Sequence, residues 1–448
     1  MSDQLDHRIA PPAVTLTEAF WYWLKLGFIS FGGPTGQIAI MHEEVVERRK
    51  WIDESRFLHA LNYCMLLPGP EAQQLAIYLG WLLHGTWGGI AAGVLFVLPA
   101  AFLLWALSYI YVVYGNVVAI AAVFAGLKPA VLALVAAAVL RIGQKVLKNE
   151  AMCAIAVLAF VGIYFFEVPF PILIGAAAVA GWIGGKLAPG KFVVVKGHGK
   201  KEQGTETAIP EAAYHRVEPT LARAVKITAI CLALWWAPVV LLGLWLGWQH
   251  TLIQESVFFS KAAMVTFGGA YAVLPYVAQQ AVENYGWLSG PQMLDGLGLA
   301  ESTPGPLIMV LQFVGFLGGW NSPGTLSPLL AATLGAAITT WTTFVPCFLW
   351  IFLGAPYIER LRENERLSAA LSAVTAAVVG VVLNLAIWFG LEVIFPQEPE
   401  QPQHWNPDWF SVVVAVVALV GLVRFKWNVI AVVLGAGGLG LTYKLLAG

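Results

Sequence analysis

Charge is what this chain is short of. Asp, Glu, Lys and Arg together make up 11% of its 448 residues, where a soluble protein of this size carries about 25%. A net charge of −1 offers no basic surface, so no nucleic-acid partner is expected. Cys64, Cys153, Cys231 and Cys347 stand singly in apolar segments with no C-x-x-C, which suits small core residues better than disulfides or metal ligands. His42, His59 and His84 lack a metal spacing on one helix face, and His198 and His215 fall in a polar loop; no metal, haem or other cofactor is expected. There is no G-x-x-x-x-G-K-[ST] run, which argues against an ATP-driven pump. The stretch MSDQLDHRIAPPAV has no basic region leading into an apolar core, so no cleaved signal is expected. Alternating ten-residue strands are missing as well, which excludes a membrane β-barrel.

What the chain has is apolar length. Hydrophobic residues make up 59%, with 19 Trp. The runs 88–113, 117–140, 226–248 and 328–353 each exceed the roughly 18–20 residues that cross a bilayer. The expectation is an all-α polytopic membrane protein.

The chain also repeats itself. SFGGPTGQ (30–37) and TFGGAYAV (266–273) are separated by 236 residues, as are Lys25 and Lys261, Trp51 and Trp287, and the two Pro-Gly-Pro runs at 68–70 and 304–306. Beyond an insertion near 321–328, FVLP (96–99) meets TFVP (343–346) at offset 247. Four units follow: a first membrane repeat (1–190), a polar cytoplasmic linker (191–222), a connecting transmembrane helix (223–250) and a second repeat (251–448). In the first half Lys and Arg gather at 48–56 and 141–148; in the second they move to 360–366 and 424–426, while 279–290 and 391–408 have none. Opposite loops being basic in the two halves is the mark of an inverted-topology repeat. The N-terminus and 191–222 are then expected inside and the C-terminus outside.

With 48–56 and 84–88 both inside, 57–83 must return to its starting side, as a hairpin broken at LLPGPEAQ. The segment 17–40 reads as a second hairpin with FGGPTG at its tip, or as a tilted, broken single span. Each repeat is thus expected to hold two broken or re-entrant hairpins followed by about four transmembrane helices. Breaks at bilayer depth persist where protein or a polar cavity satisfies the freed backbone groups, and helices starting there aim positive dipole ends at the midplane. Gly32, Gly33, Gly268, Gly269, Gly69 and Gly305 are therefore candidate substrate-binding positions; the alternative is that they only let helices pack closely. Lys25 and Lys261, each six residues before the FGG phenylalanine, are candidates to attract an oxyanion, or else snorkel to their interfaces. Lys128 is either a substrate contact or the partner of a carboxylate. Glu71 and Glu301 flank the breaks as proton-coupling candidates, Glu71 alternatively as a helix cap. Asn62, Gln73, Gln74 and Gln312 would line the cavity, and Trp51 and Trp287 would anchor the interfaces.

Two copies of F-G-G, each followed by W-[I/L], then P-G-P and glycine-rich spans, resemble the chromate ion transporter (CHR) family in its long two-domain form. FISFGGPTGQIAIMHEEVVERRKWID, LLPGPEAQQLAIYLGWLLHGTWGG, VTFGGAYAVLPYV and ESTPGPLIMVLQFVG carry the likeness. The resemblance implies a bacterial inner-membrane carrier that exports chromate, a sulfate-like dianion, and confers resistance, driven by membrane potential, proton coupling or both. The alternatives are a passive anion channel and a transporter of sulfate or another oxyanion. An enzyme is not expected, because no His/Asp/Glu constellation gathers at one membrane face. The expected partners are the oxyanion and the lipid bilayer, with a homodimer left open. The second half has lost the charges that the first carries at 42–50 and 71, so the halves are not expected to be functionally equivalent.

Overall fold

The computed structural model describes residues 14–31, 33–115, 117–192, 220–355, 365–396 and 406–447. Gly32, most of the linker (193–219), Arg360, Arg362 and the stretch 397–405 lie outside the described residues. The described chain is helical throughout. The first half runs α1 (Leu16–Ile29), α2 (Gly33–His42) continued by a π-turn Glu43–Arg48, α3 (Glu54–Cys64), α4 (Glu71–Tyr114), α5 (Val118–Val146), α6 (Glu150–Phe166), α7 (Phe170–Leu187) and the short α8 (Pro189–Phe192). After α9 (Leu221–Leu246), the second half runs α10 (Thr251–Val265), α11 (Ala270–Ala278) continued by a π-turn Gln279–Asn284, and α12 (Gly290–Ser302). It goes on through α13 (Val310–Asn321), α14 (Pro328–Gly354), α15 (Glu365–Ile394), α16 (Trp409–Arg424) and α17 (Val429–Ala447).

Seven of these, α4, α5, α7, α9, α14, α15 and α17, are long and apolar enough to cross a membrane, and α6 and α16 are shorter apolar helices. A helix closes its own backbone hydrogen bonds, the condition for lying in hydrocarbon. The outward faces are correspondingly oily: α9 exposes Leu221, Leu241, Leu244 and Trp245. Inside, small residues let helices touch. Gly126 of α5 abuts the backbone of Ala436 and Gly440 on α17, and Gly380 of α15 abuts Ala156 on α6. Close approach of this kind replaces the hydrophobic drive that lipid cannot supply.

The same local structure recurs at an offset of 236. The π-turns coincide, at 43–48 and 279–284. Asp53 caps α3 and Ser289 caps α12. Ser30 Oγ donates to Leu26 O at 2.6 Å, and Thr266 Oγ1 to Ala262 O at 2.6 Å. The Trp51 amide bonds Val45 O at 2.8 Å, and the Trp287 amide bonds Ala281 O at 2.8 Å.

Both tryptophans are buried, at 3% and 2% exposure, which corrects the expectation that they anchor the interfaces. They fill the fold-back between the first helix of each half and the segment returning past it. Trp51 packs edge-on to Tyr22 at 5.1 Å, and Trp287 packs against Phe258 at 5.7 Å. Arg49 also reaches Glu18 at 2.9 Å, beside the start of α1. The chain therefore goes in along α1, turns at the FGG segment and comes back along α2, a hairpin rather than a single broken span. On this surface segment, partial burial alone would raise the carboxyl of Glu44, but hydrogen bonds from Arg49 and Arg48 overturn that and hold it below the usual carboxylate range.

The second hairpin also returns. Helix α4 is broken at His84 and Gly85, and its two segments fold against each other: Gly80 abuts the backbone of Gly88, and Gly93 meets Ile77. His84 Nε2 lies 2.9 Å from Val14 O, so residue 84 is back at the level where the described chain starts. In the second half α13 and α14 form the equivalent pair, with Gly315 against the backbone of Gly335 and Gly319 against that of Ala331.

Candidate functional site

The four breaks meet. The Gly69 amide donates to Thr266 O at 2.8 Å, and the Gly305 amide donates to Ser30 O at 2.8 Å. Each Pro-Gly-Pro glycine thus closes the FGG break of the other half, at equivalent positions. Gly69 and Gly305 sit at φ +115° and +112°, a region that side chains rarely adopt. Ala100, near the middle of the 86–114 segment, lies directly against Gly305, and Gln312 Nε2 donates to Ala101 O at 2.8 Å. The junction is therefore deep in the helical layer.

Polar side chains complete it. Gln37 Nε2 donates to Gly305 O at 2.6 Å, and Gln74 Nε2 donates to Pro68 O at 2.8 Å. Four helices begin here: α2 at Gly33, α4 at Glu71, α11 at Ala270, and α13 with its leading 3-10 turn at Leu307. Pro70, Gly269, Pro306 and Met309, the residues ahead of three of these starts, provide no side-chain cap. The Ala272 and Met309 amides are turned back to Gly269 O and Pro306 O, and the positive dipole ends of these helices face the junction without a side-chain cap.

Glu71 is buried, and its Oε1 lies 4.0 Å from where a Cβ on Gly269 would stand. No helix-capping bond from Glu71 is present among the described residues, so the cap reading finds no support. Glu301 accepts a hydrogen bond from the Tyr271 hydroxyl. Arg141 and Lys145, both exposed near the end of α5, act on Glu301 and Glu71 through space and make no ion pair with them among the described residues. Thr375 of α15 lies 3.6 Å from the Cβ position of Gly268.

The other candidates fall as follows. Lys128 pairs with Asp295 at 3.8 Å, and the Tyr111 hydroxyl donates to the same carboxylate oxygen at 2.9 Å; of its two readings, the carboxylate partner is the one realised. Lys25 and Lys261 are exposed. Lys25 shares the outward face of α1 with Trp21 and Phe28, so neither lysine is brought to the junction. Helix rotation explains this: Leu26 and Gly27, next in sequence, take the inward face of α1. Asn62 is half-buried on α3, and Gly33, Gly268 and Gly269 stay at their breaks. Sequence reasoning missed Tyr271, Asp295, Arg141 and Lys145; Asp295 and Arg141 act on groups of the other half, and Tyr271 and Lys145 on Glu301 and Glu71, thirty or more residues away in their own half. It also missed Glu255, fully buried on α10; its position 236 residues earlier is Ala19, so the repeat gave no signal.

Multiple apolar spans, with broken helices whose ends converge around buried ionisable groups, fit a multi-pass membrane transporter. The chain belongs to the chromate transporter family, whose sequence model matches residues 17–182 and 253–441. It is similar to a chromate transport protein of Pseudomonas aeruginosa, 31% identical over 433 residues, 95% of this chain and 92% of that one. It is also similar to a chromate transport protein of Cupriavidus metallidurans, 29% identical over 438 residues, 97% of this chain and 95% of the other. The uncharacterized transporter YwrB of Bacillus subtilis is 30% identical over 147 residues, 33% of this chain but 71% of that protein. No solved structure matches.

Proposed function

We propose that the protein is a secondary transporter that exports chromate, a sulfate-like dianion, from the cytoplasm and so confers resistance to it. The observation that carries this reading is the reciprocal junction, Gly69 to Thr266 and Gly305 to Ser30, which gathers uncapped helix starts at depth. Such ends favour an anion, and transporters built from inverted repeats hold substrate at discontinuities of this kind. The two halves are read as inverted repeats, with the N-terminus and linker inside and the C-terminus outside. The shorter relative, matched over one third of this chain, supports a duplicated unit.

Glu71 and Glu301 are negative groups standing where the dianion would go. A proton on either removes the repulsion and admits the anion, whereas the ionised carboxylate competes with it for the same positive ends. This makes them the coupling groups, with Gly33, Gly268 and Gly269 presenting backbone to the ion, Gly69 and Gly305 holding the breaks together through their amides, and Arg141 and Lys145 drawing the ion in. Leaving an inside-negative cell, a dianion gains about 4.6 kcal/mol per 100 mV, so voltage adds to any proton coupling. The test is labelled chromate and sulfate flux in proteoliposomes under an imposed voltage and, separately, an imposed pH gradient. Flux without trans-stimulated exchange would show a channel instead, and no chromate flux would remove the reading.

A further inference from the structure

One buried carboxyl lies away from the junction. Glu255 is 0% exposed, and neither of its oxygens has a hydrogen-bond partner among the described residues. It sits where α10 packs on α13 and α14. Its Oε1 occupies the space a Cβ on Gly318 would need, its Oε2 lies 3.0 Å from the Cβ position of Gly335, and Trp287 closes the side. The hydroxyl of Thr339, one turn beyond Gly335 on α14, is buried and without an acceptor too. No Lys, Arg, His, Asp or Glu occurs on α13 or α14. On α10 itself, Lys261 is exposed, and the His250 ring is engaged with the Leu252 amide and Pro323 O. Arg223 and Lys226 start α9, where Arg223 donates to Phe352 O near the opposite end of α14. In the returning segment Glu283 is exposed, and Tyr285 stacks on Trp287. Tyr271 and Tyr276 of α11 are taken up by Glu301 and by Phe170 and Phe258.

An ionised carboxylate in such a place has no cation or hydrogen-bond donor among the described residues to stabilise it. The space is filled by the carboxyl itself, leaving no room for a metal with its own ligands. Glu255 also lies one turn from the start of α10, whose cap His250 touches Pro323 and Gly324 of the 322–327 connection, on the outer face in the proposed topology. We propose that Glu255 is a proton-binding site that latches the outer mouth, separate from the oxyanion path. With the proton on, the carboxyl packs among the glycines and α10 closes against α13 and α14. With the proton returned to water at the outer face, the carboxylate must hydrate, and the three helices part. The proton arrives from and leaves to the same side, so the latch regulates release without itself translocating charge. Its outward sidedness rests on the proposed export topology.

Infrared difference spectra of the full chain in lipid test the proton directly. The wild-type spectrum minus that of Glu255→Gln, which cancels Glu71 and Glu301, is expected to show a protonated-carboxyl C=O band that fades as pH rises. Hydrogen exchange across 251–265 should quicken with rising pH in wild type and stay slow and flat in Glu255→Gln. Where chromate flux is measured, the ratio of wild-type to Glu255→Gln flux should rise with outer pH by up to about tenfold per unit while the site titrates, the dependence imposed by Glu71 and Glu301 being common to both. A pH-independent band or flat exchange in wild type would overturn the latch, and the exchange result needs no variant to fold. Absent chromate flux with a titrating band would refute the proposed substrate and leave the proton site standing.

Discussion

Gly305→Ala puts the junction under a defined load. At φ +112° an alanine costs about 1–3 kcal/mol in backbone strain. Its Cβ would also run into the Cβ of Ala100, fixed on a long helix, and overpacking of this kind adds about 1–3 kcal/mol. The total expected for Gly305→Ala is about 2–6 kcal/mol. Gly69→Ala makes a control, because φ is nearly the same, +115°, while the new Cβ meets only Cys347 Sγ and Gln74 Nε2 at 3.0 Å. Both are ends of flexible side chains rather than backbone, so Gly69→Ala should lose the strain plus at most the Gln74 bond to Pro68 O, about 0.5–1.5 kcal/mol. Adding Ala100→Gly to Gly305→Ala should recover the packing part, a coupling of about 0.5–3 kcal/mol, without recovering the strain. Unfolding of the detergent-solubilised protein gives the energies, and chromate flux shows whether the junction still works. Equal losses for the two glycines, or no coupling to Ala100, would refute the description of the junction.

Three further outcomes are expected. Lys128→Met strands Asp295, and since the Lys128 side chain is 30% exposed the loss is discounted to about 1–3 kcal/mol; Lys128→Met with Asp295→Asn should restore most of it in the same unfolding assay. Arg141→Ala and Lys145→Ala, which act on the junction carboxylates, should lower chromate flux about tenfold each, whereas Lys25→Ala and Lys261→Ala, equally exposed but turned away from the junction, should stay within about twofold; equal effects in a flux assay would return the two lysines to the path. A cysteine at 145 should react with an impermeant label from the inner face and one at 400 from the outer face, and reaction at 400 only from inside would end the inverted-repeat reading.

The breaks were legible in sequence because glycine and proline state a backbone requirement directly, and a repeated spacing of 236 residues made that requirement improbable as noise. Loop charges likewise carried the expected sidedness, and the returning hairpins followed from it. Side-chain direction was not legible. Lys25 and Lys261 lie close in sequence to the breaks, yet each helix turns its charged residue outward because its apolar neighbours pack inward. Lys128 could be placed only when Asp295, from the other half, came into contact. Trp51 looked like an interfacial residue by composition but fills a fold-back whose existence depends on the π-turn before it. Glu255 was hidden because a buried charge with no repeat counterpart and no local motif leaves no pattern.

The exchanged backbone bonds also bear on biogenesis. The Ser30 carbonyl and the Gly69 amide find their partners on Gly305 and Thr266, both in the second half. During synthesis at about 5–20 residues per second, the roughly 275 residues between Ser30 and Gly305 take about 14–55 s to emerge. For that interval the nascent first half holds an open polar seam inside the bilayer. It would have to be shielded by the insertion machinery, by water or by a second nascent chain, making this seam the place where misassembly of the protein would begin.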